Sequence, residues 1–169
     1  MKLIKPSSRY KDSYLELKRE FREDPAPTHP MVIERDCDDW QGFLSFLRDE
    51  EAGYNSRPDL VPALTFWLVD NEDRVVGVSH LRTRLNQRLI RSGGHIGYGI
   101  RPSARGLGYA HQILNLTLTE ALRRGIQDVL VTCDPSNEAS RRVILGAGGV
   151  YDGMVASEGK QYQRYWIFQ

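Results

Sequence analysis

Residues 100–110, reading I-R-P-S-A-R-G-L-G-Y-A, put a strand end, a basic glycine-containing loop and a helix start within one short stretch. Gly106 and Gly108 have no Cβ, so main-chain N–H groups around them can close on an anion, and the helix that follows turns the positive end of its dipole to the same place. Such a dipole contact contributes about 0.3 to 1 kcal/mol, rising to ~2 where the site is partly buried. Arg105 adds a formal charge, and the ligand that suits this arrangement carries phosphate. Just upstream, H-I-G-Y-G-I holds two titratable side chains, His95 and Tyr98. Alternation along a strand puts His95 on one face with Gly97 and Gly99, and Tyr98 on the other with Ile96 and Ile100. The two glycines predict a bulge or a close backbone approach.

The elements that must position these residues are legible from periodicity. L-I-K-P at the start reads as a short strand, and residues 7–23 carry Tyr10, Tyr14, Leu15, Leu17 and Phe21 at mostly helical spacing. Residues 24–30, with three prolines, are a loop. A second helix is predicted over 38–51, with Trp40, Phe43, Leu44 and Leu47 inward. Residues 64–69 and 74–81 are rich in β-branched and aromatic types around D-N-E-D, a hairpin signal. The stretch 82–94 is polar and basic and ends at Gly93-Gly94 before a fourth strand. Gly108 opens the clearest helix, with Ile113, Leu114, Leu118, Ala121 and Leu122 on one stripe and Gly125 as its stop. Residues 128–132 form a buried strand, Ser136 is a candidate N-cap for a helix reaching Ala147, and S-E-G-K joins two last strands. This order implies a mixed α/β fold, a single domain over 1–169, with one sheet covered by helices on both faces.

Bulk properties narrow the function classes. Lys plus Arg number 23 against 22 acidic residues in 169, a net charge of +1 that gathers neither nucleic acid nor an anionic membrane. The basic run from Arg82 to Arg91 is the one local exception to test against salt. Cys37 and Cys133 form no ligand-spaced cluster, which argues against a disulfide framework and against a metal site. The expectation is a cytoplasmic protein, since no apolar run reaches the length of a signal peptide core or a membrane span.

The element order together with R-G-L-G-Y-A resembles the GNAT superfamily of N-acetyltransferases, and within it a bacterial branch of predicted acetyltransferases suggested by H-I-G-Y-G-I-R-P-S and R-Y-W-I. The family motif is Arg or Gln, two variable residues, Gly, one variable residue, then Gly or Ala; Arg105, Gly108 and Ala110 match it. Ile100 and Pro102 stand where the family has a hydrophobic residue and a proline, and Asn137 stands where it has an asparagine after the fifth strand. The resemblance implies a largely antiparallel central sheet, splayed between its fourth and fifth strands, with the pantetheine of acetyl-CoA lying in the splay. It implies that N–H groups of Arg105, Gly106, Leu107, Gly108, Tyr109 and Ala110 hold the pyrophosphate, that the Ile100 backbone holds the acetyl carbonyl or the adjacent amide, and that Asn137 reaches the pantetheine. It further implies acetyl transfer to a primary amine of a small molecule or an exposed amino group, by direct attack in a ternary complex. Neither a metal nor a nucleic acid enters this expectation, and a homodimer is left open.

The family's chemistry needs a base, because only a neutral amine attacks a thioester. His95 and Tyr98 lie on the strand where the family often carries it, with His80 on the third strand as a further candidate. Many members place a tyrosine seven residues after the asparagine to protonate the thiolate, but here that residue is Ile144. Ser140, Cys133 and Tyr151 are candidate substitutes. The family's usual Gly-Phe after this helix is replaced by Gly148-Gly149. Arg141 and Arg142 are candidates for a CoA phosphate, Glu23 and Asp24 for a cationic acceptor, and Tyr165 and Trp166 read as core. The replaced tyrosine motivates an alternative, an acetyl-CoA-binding pseudoenzyme or sensor. A dinucleotide-binding oxidoreductase is disfavoured: His111 stands at the third small-residue position, and the motif follows four strands instead of opening a βαβ unit.

Overall fold

The computed structural model describes residues 1–25, 30–54 and 60–169; of the proline loop expected over 24–30, residues 26–29 lie outside these. After a short strand, β1 (Lys2–Ile4), helix α1 (Lys11–Glu23) buries Tyr14, Leu17, Lys18 and Phe21, the 3-4-7 spacing of one helical face. Helix α2 (Trp40–Ala52) begins where the Asp39 carboxylate accepts the Gly42 N–H at 3.0 Å, and it stops at Gly53 in a left-handed conformation. Both helices pack over β2 (Ala63–Val69) and β3 (Val75–Arg82), whose Trp67 lies 4.5 Å from the Tyr14 ring in a stacked pair. These two strands are buried along nearly their whole length, which is why they read as continuous apolar runs.

The polar, basic stretch 82–94 contains a short helix, α3 (Gln87–Arg91), started by the Asn86 side chain accepting the Leu89 N–H. Strand β4 (Ile96–Ile100) pairs with β3 in unbroken register from Gly77 opposite Ile100 to Leu81 opposite Ile96, so the expected bulge at Gly97 and Gly99 does not form. The register shift of this sheet falls instead between Leu68 and Val69. Helix α4 (Tyr109–Leu122), strand β5 (Asp128–Cys133), helix α5 (Glu138–Gly146) and the hairpin of β6 (Val150–Ser157) and β7 (Lys160–Phe168) follow. The cap of α5 is Asn137, not Ser136: its side chain accepts the Ser140 N–H, while the Ser136 hydroxyl donates to Asp134.

All pairing is antiparallel, in two hydrogen-bonded sheets of order β1-β2-β3-β4 and β5-β7-β6, where the sequence pattern alone implied one. Helix α4 lies beneath both. Its Leu114, Leu118 and Ala121 share a core with Leu64, Leu81 and Ile96 of the first sheet and with Val129, Val131, Tyr165 and Ile167 of the second. One apolar helix face thus fixes the two sheets relative to each other without any strand pairing between them. Among the described residues, no helix is long and apolar enough to cross a membrane.

Candidate active site

Strands β4 and β5 are the facing edges of the two sheets. They come together just ahead of β4, where the His95 N–H donates to Leu130 O at 2.7 Å, the Leu130 N–H donates to His95 Nδ1 at 2.9 Å and the Gly93 N–H donates to Thr132 Oγ1 at 2.9 Å. Gly94 makes this approach feasible: its φ is +57°, and a Cβ there would stand 2.4 Å from Leu130 O. Past this pin the strands belong to separate sheets. Because Arg101 N–H donates to Val76 O on the β3 side, peptide alternation turns the N–H groups of Ile100 and Tyr98 the other way, into the gap. On the opposite bank, Leu130 already faces β4, so Thr132 turns its peptide groups to the gap as well. Unpaired edges of this kind are a template for an extended ligand carrying amide groups.

At the mouth of the gap, a 3-10 turn over Pro102–Ala104 leads into the glycine loop. Gly106 and Gly108 both have φ of +79°, and nothing stands within 4 Å of a Cβ at either, so backbone conformation alone demands glycine there. Gly108 caps α4 and has no side chain to satisfy the first-turn amides. Residues 105–108 are exposed, Leu107 included, while Tyr109 and Ala110 are half-buried at the helix start. Arg105 corrects the sequence expectation. Its N–H closes the 3-10 turn on Pro102 O, and its guanidinium lies 2.5 Å from Asp24 and donates to Ile100 O. The Arg105 charge is therefore matched by the Asp24 carboxylate at the end of α1.

The loop is held from below by Arg101. This buried guanidinium donates to Glu20 through Nε and Nη2 and to Val75 O through Nη1, and Glu20 in turn accepts the N–H and the hydroxyl of Ser103. Burial works to raise the Glu20 pKa, but the bonds from Arg101 and Ser103 outweigh it and hold the carboxyl below its usual range.

Two candidate side chains from distant segments meet across the gap: Tyr98 Oη of β4 lies 3.0 Å from Ser140 Oγ of α5. The Ser140 N–H is the one that Asn137 caps, so Asn137, Ser140 and Tyr98 form a connected chain from helix start to strand edge. Burial pushes the Tyr98 hydroxyl up to about 12, against the lowering effect of the Ser140 hydrogen bond, so it remains a neutral proton donor.

The sequence model of the acetyltransferase (GNAT) domain family matches residues 11–150. The chain belongs to the GNAT acetyltransferase family. Members of that family are acyltransferase enzymes. Solved structures agree in fold across almost the whole chain. RimJ from Mycobacterium smegmatis in complex with CoA-disulfide has a TM-score of 0.70 at 19% identity, covering 98% of this chain and 80% of that one. A ribosomal-protein-S5-alanine acetyltransferase from Vibrio fischeri has a TM-score of 0.67 at 17% identity, covering 99% and 91%. A spermidine N-acetyltransferase variant from Vibrio cholerae has a TM-score of 0.66 at 14% identity, covering 99% and 95%. No curated protein matches this chain.

Several side chains of this GNAT domain do other work than the sequence suggested. His95, the first candidate base, has its Nδ1 lone pair occupied by the Leu130 N–H, so the ring proton sits on Nε2. Burial, aided by the Arg82 charge, lowers its pKa to about 4. Such an imidazole pins two strands and offers no base. His80 is buried, with Nδ1 3.1 Å from Thr65 Oγ1 and Nε2 3.9 Å from Glu50 Oε1. Cys133 is buried and its thiol is pushed up to about 11, chiefly by burial, so it stays protonated. Tyr151 is exposed on β6, its ring 5.5 Å from that of Tyr165. Ile144 is fully buried in the core beneath α5. Arg141 pairs with Glu138, and Arg142 donates to the Glu138 carbonyl, so both are engaged along their own helix. Asp24 is paired with Arg105, while Glu23 is exposed. Tyr165 is core, and the Trp166 indole donates to Asp152. Among the described residues no cluster of three or more His, Cys, Asp or Glu could hold a metal ion, and both cysteines are free and buried.

Sequence reasoning passed over Glu50. It falls three positions after Leu47 on the apolar stripe of α2, and an acid at a core position of a helix was the available signal.

Proposed function

We propose that this chain moves an acetyl group from acetyl-CoA to a primary amine of a small molecule or an exposed amino group, by direct attack within a ternary complex. The observation that carries this reading is the pair of unpaired strand edges that separate at His95–Leu130, with the open start of α4 at the mouth between them. The amides of 106–110 would receive the diphosphate, each favourable dipole contact contributing about 0.3 to 1 kcal/mol. Main-chain groups of Tyr98, Ile100 and Thr132 would pair with the amides of the pantetheine. The Ile100 N–H is the donor best placed to stabilise charge developing on the acetyl oxygen.

The departing sulfur requires a proton or tolerates leaving without one. The Tyr98–Ser140 hydroxyl pair fills the place that Ile144 leaves without a donor, Tyr98 giving its proton and Ser140 relaying it. The names of two structural neighbours, one for spermidine and one for a ribosomal-protein alanine, support an amine acceptor without choosing between a free and a peptide-borne one.

The reading is tested in two steps. Calorimetry with CoA should give a saturable heat. Incubation with acetyl-CoA and a panel of amines should then release free thiol only when an acceptor is present. Binding without acceptor-dependent release would leave a sensor, and no heat at millimolar CoA would remove the reading altogether.

A further inference from the structure

An amine of pKa ~10.4 costs roughly 4.6 kcal/mol to deprotonate at pH 7, so transfer to such an acceptor needs a proton sink near the gap. Neither His95 nor Tyr98 supplies one. The two sides of β4 are unequal in this respect. Tyr98, Ser140 and the start of α4 occupy one face, and coenzyme bound at the α4 start fills it. The incoming nitrogen is left with the other face, where β3 and β4 look toward α1 and α2. There Val78 stands opposite Gly99 and His80 opposite Gly97, so β4 presents bare backbone, with Pro30 resting against Gly97. One strand in from the gap on this face, beyond the already bonded His95, stands His80 of β3, and Glu50 of α2 lies 3.9 Å from its Nε2.

Resting on the transferase reading above, we propose that the Glu50 carboxylate, with His80 beside it, is the proton acceptor for the incoming amine. Glu50 is buried, yet its Oε2 has no hydrogen-bond partner among the described residues. The groups around it stop short of bonding it: His80 Nε2 is 3.9 Å from Oε1, and Arg82 of β3 and Arg35, just before α2, act on it only through their fields. Arg82 is committed elsewhere, donating to the carbonyls of Gly93 and Gly94. A buried carboxylate oxygen without a donor costs more than a satisfied one, and taking up a proton relieves that cost. Burial raises the Glu50 pKa to about 7 in spite of the Arg82 and Arg35 charges, which puts the group near half-ionised at neutral pH, the range in which a general base works best.

An ammonium loses two protons in becoming an amide. Glu50 takes the first, freeing the nitrogen lone pair to form the N–C bond. As the C–S bond breaks its electron pair goes to sulfur, which takes the Tyr98 proton. The second nitrogen proton leaves to solvent, Tyr98 regains one from solvent through Ser140, and Glu50 returns its own, so that one proton is released overall. Thr65 holds His80 Nδ1, so His80 is a positioning residue that orients its Nε2 side toward Glu50.

The test compares wild type with Glu50→Gln on two acceptors at pH 7: spermidine, a primary ammonium, and an alkoxyamine, which is already neutral and needs no base. Glu50→Gln should lose about 10²-fold or more in turnover with spermidine while keeping near wild-type turnover with the alkoxyamine and unchanged CoA binding. Wild-type turnover with both acceptors, or equal loss with both, overturns the proposal. If Glu50→Gln does not fold, the wild-type pH profile with spermidine decides. It levels off above about 7 if Glu50 is the base, and climbs toward the amine's own pKa if it is not. His80→Asn should displace that break in the profile without abolishing turnover. A wild type that acetylates no amine at all refutes the transferase reading, and the Glu50 assignment with it. An active wild type with an equally active Glu50→Gln refutes the Glu50 assignment alone.

Discussion

Replacing Glu20 by Ala tests whether the glycine loop is held by charge from beneath. Arg101 is 6% exposed and places two of its guanidinium nitrogens on Glu20; Ser103 adds an N–H at 2.9 Å and a hydroxyl at 3.0 Å. Removing the carboxylate leaves a buried guanidinium with the Val75 carbonyl and with Glu16, 3.6 Å away on a largely exposed side chain. Breaking a buried pair from one side costs about 3 to 5 kcal/mol, and Glu16 can recover a part, so a loss near 3 kcal/mol is the expectation. For a chain of this size each kcal/mol moves the melting temperature by about 2 to 4 °C, which gives a fall of roughly 6 to 12 °C by calorimetry or circular dichroism. Glu20→Gln, which keeps the shape and one of the two acceptor oxygens, should fall less. The sign with pH follows from the depressed Glu20 pKa. The stabilisation is present above the unfolded value of about 4.3 and is lost as pH falls through the lower folded value, so the variant and wild type should converge in acid. CoA should bind more weakly to Glu20→Ala because the 3-10 turn before the loop loses its anchor. A melting temperature and a CoA dissociation constant both unchanged at pH 7 would refute the argument.

Gly108→Val forces a β-branched residue into φ of +79°, so CoA affinity should fall by about tenfold or more in calorimetry, with a stability loss on the order of 1 to 3 kcal/mol. Tyr98→Phe removes the donor but not the ring; turnover should fall by about tenfold with CoA affinity retained, measured by thiol release, and an undiminished rate would take Tyr98 out of the transfer step. His95→Leu should cost about 1 to 3 kcal/mol, because the Leu130 N–H is left without its acceptor, while the pH profile of turnover keeps its shape. A profile that loses its acid limb in that variant would instead restore His95 to the chemistry, since a ring with a pKa near 4 is neutral throughout the range assayed.

The parts of the fold that depend on neighbours in sequence were legible; those that depend on partners far away were not. Apolar spacing located α1, α2, α4 and the strands, and R-G-L-G-Y-A located the loop, because left-handed glycines and a helix start leave their mark within a few residues. Whether seven strands make one sheet or two is decided by which edges pair, and nothing in β4 or β5 taken singly says so. Strand alternation placed Tyr98 on a face but could not say that Ser140, 42 positions later, would stand 3.0 Å from its hydroxyl. Arg105 looked like a free charge because Asp24, its partner, lies 81 positions earlier. His95 looked like a base because a sequence does not show which ring nitrogen is already bonded. Glu50 was visible only as an anomaly, an acid on an apolar stripe, and the orphaned oxygen that gives it interest appears only once β3 is packed beneath α2.

What keeps β4 and β5 from zipping together is as informative as what lies between them. Two facing edges with free peptide groups ordinarily gain by pairing. Here the first rung is made wrongly for a ladder: the Leu130 N–H is satisfied by the His95 side chain instead of a main-chain carbonyl, and the residue before it, Gly94, is left-handed. A side-chain acceptor in that position sets β4 off the register in which the next rung would form. Farther along, Tyr98–Ser140 bridges β4 to α5, and α4 grips both sheets through one apolar face, so closure would require repacking a core that includes Leu114, Leu118 and Val131. The gap is therefore a product of packing that exists before any ligand arrives. An extended molecule entering it, as the proposed acetyl-CoA would, is expected to gain main-chain hydrogen bonds without first separating the strands, the way a rigid scaffold converts unpaired edges into affinity.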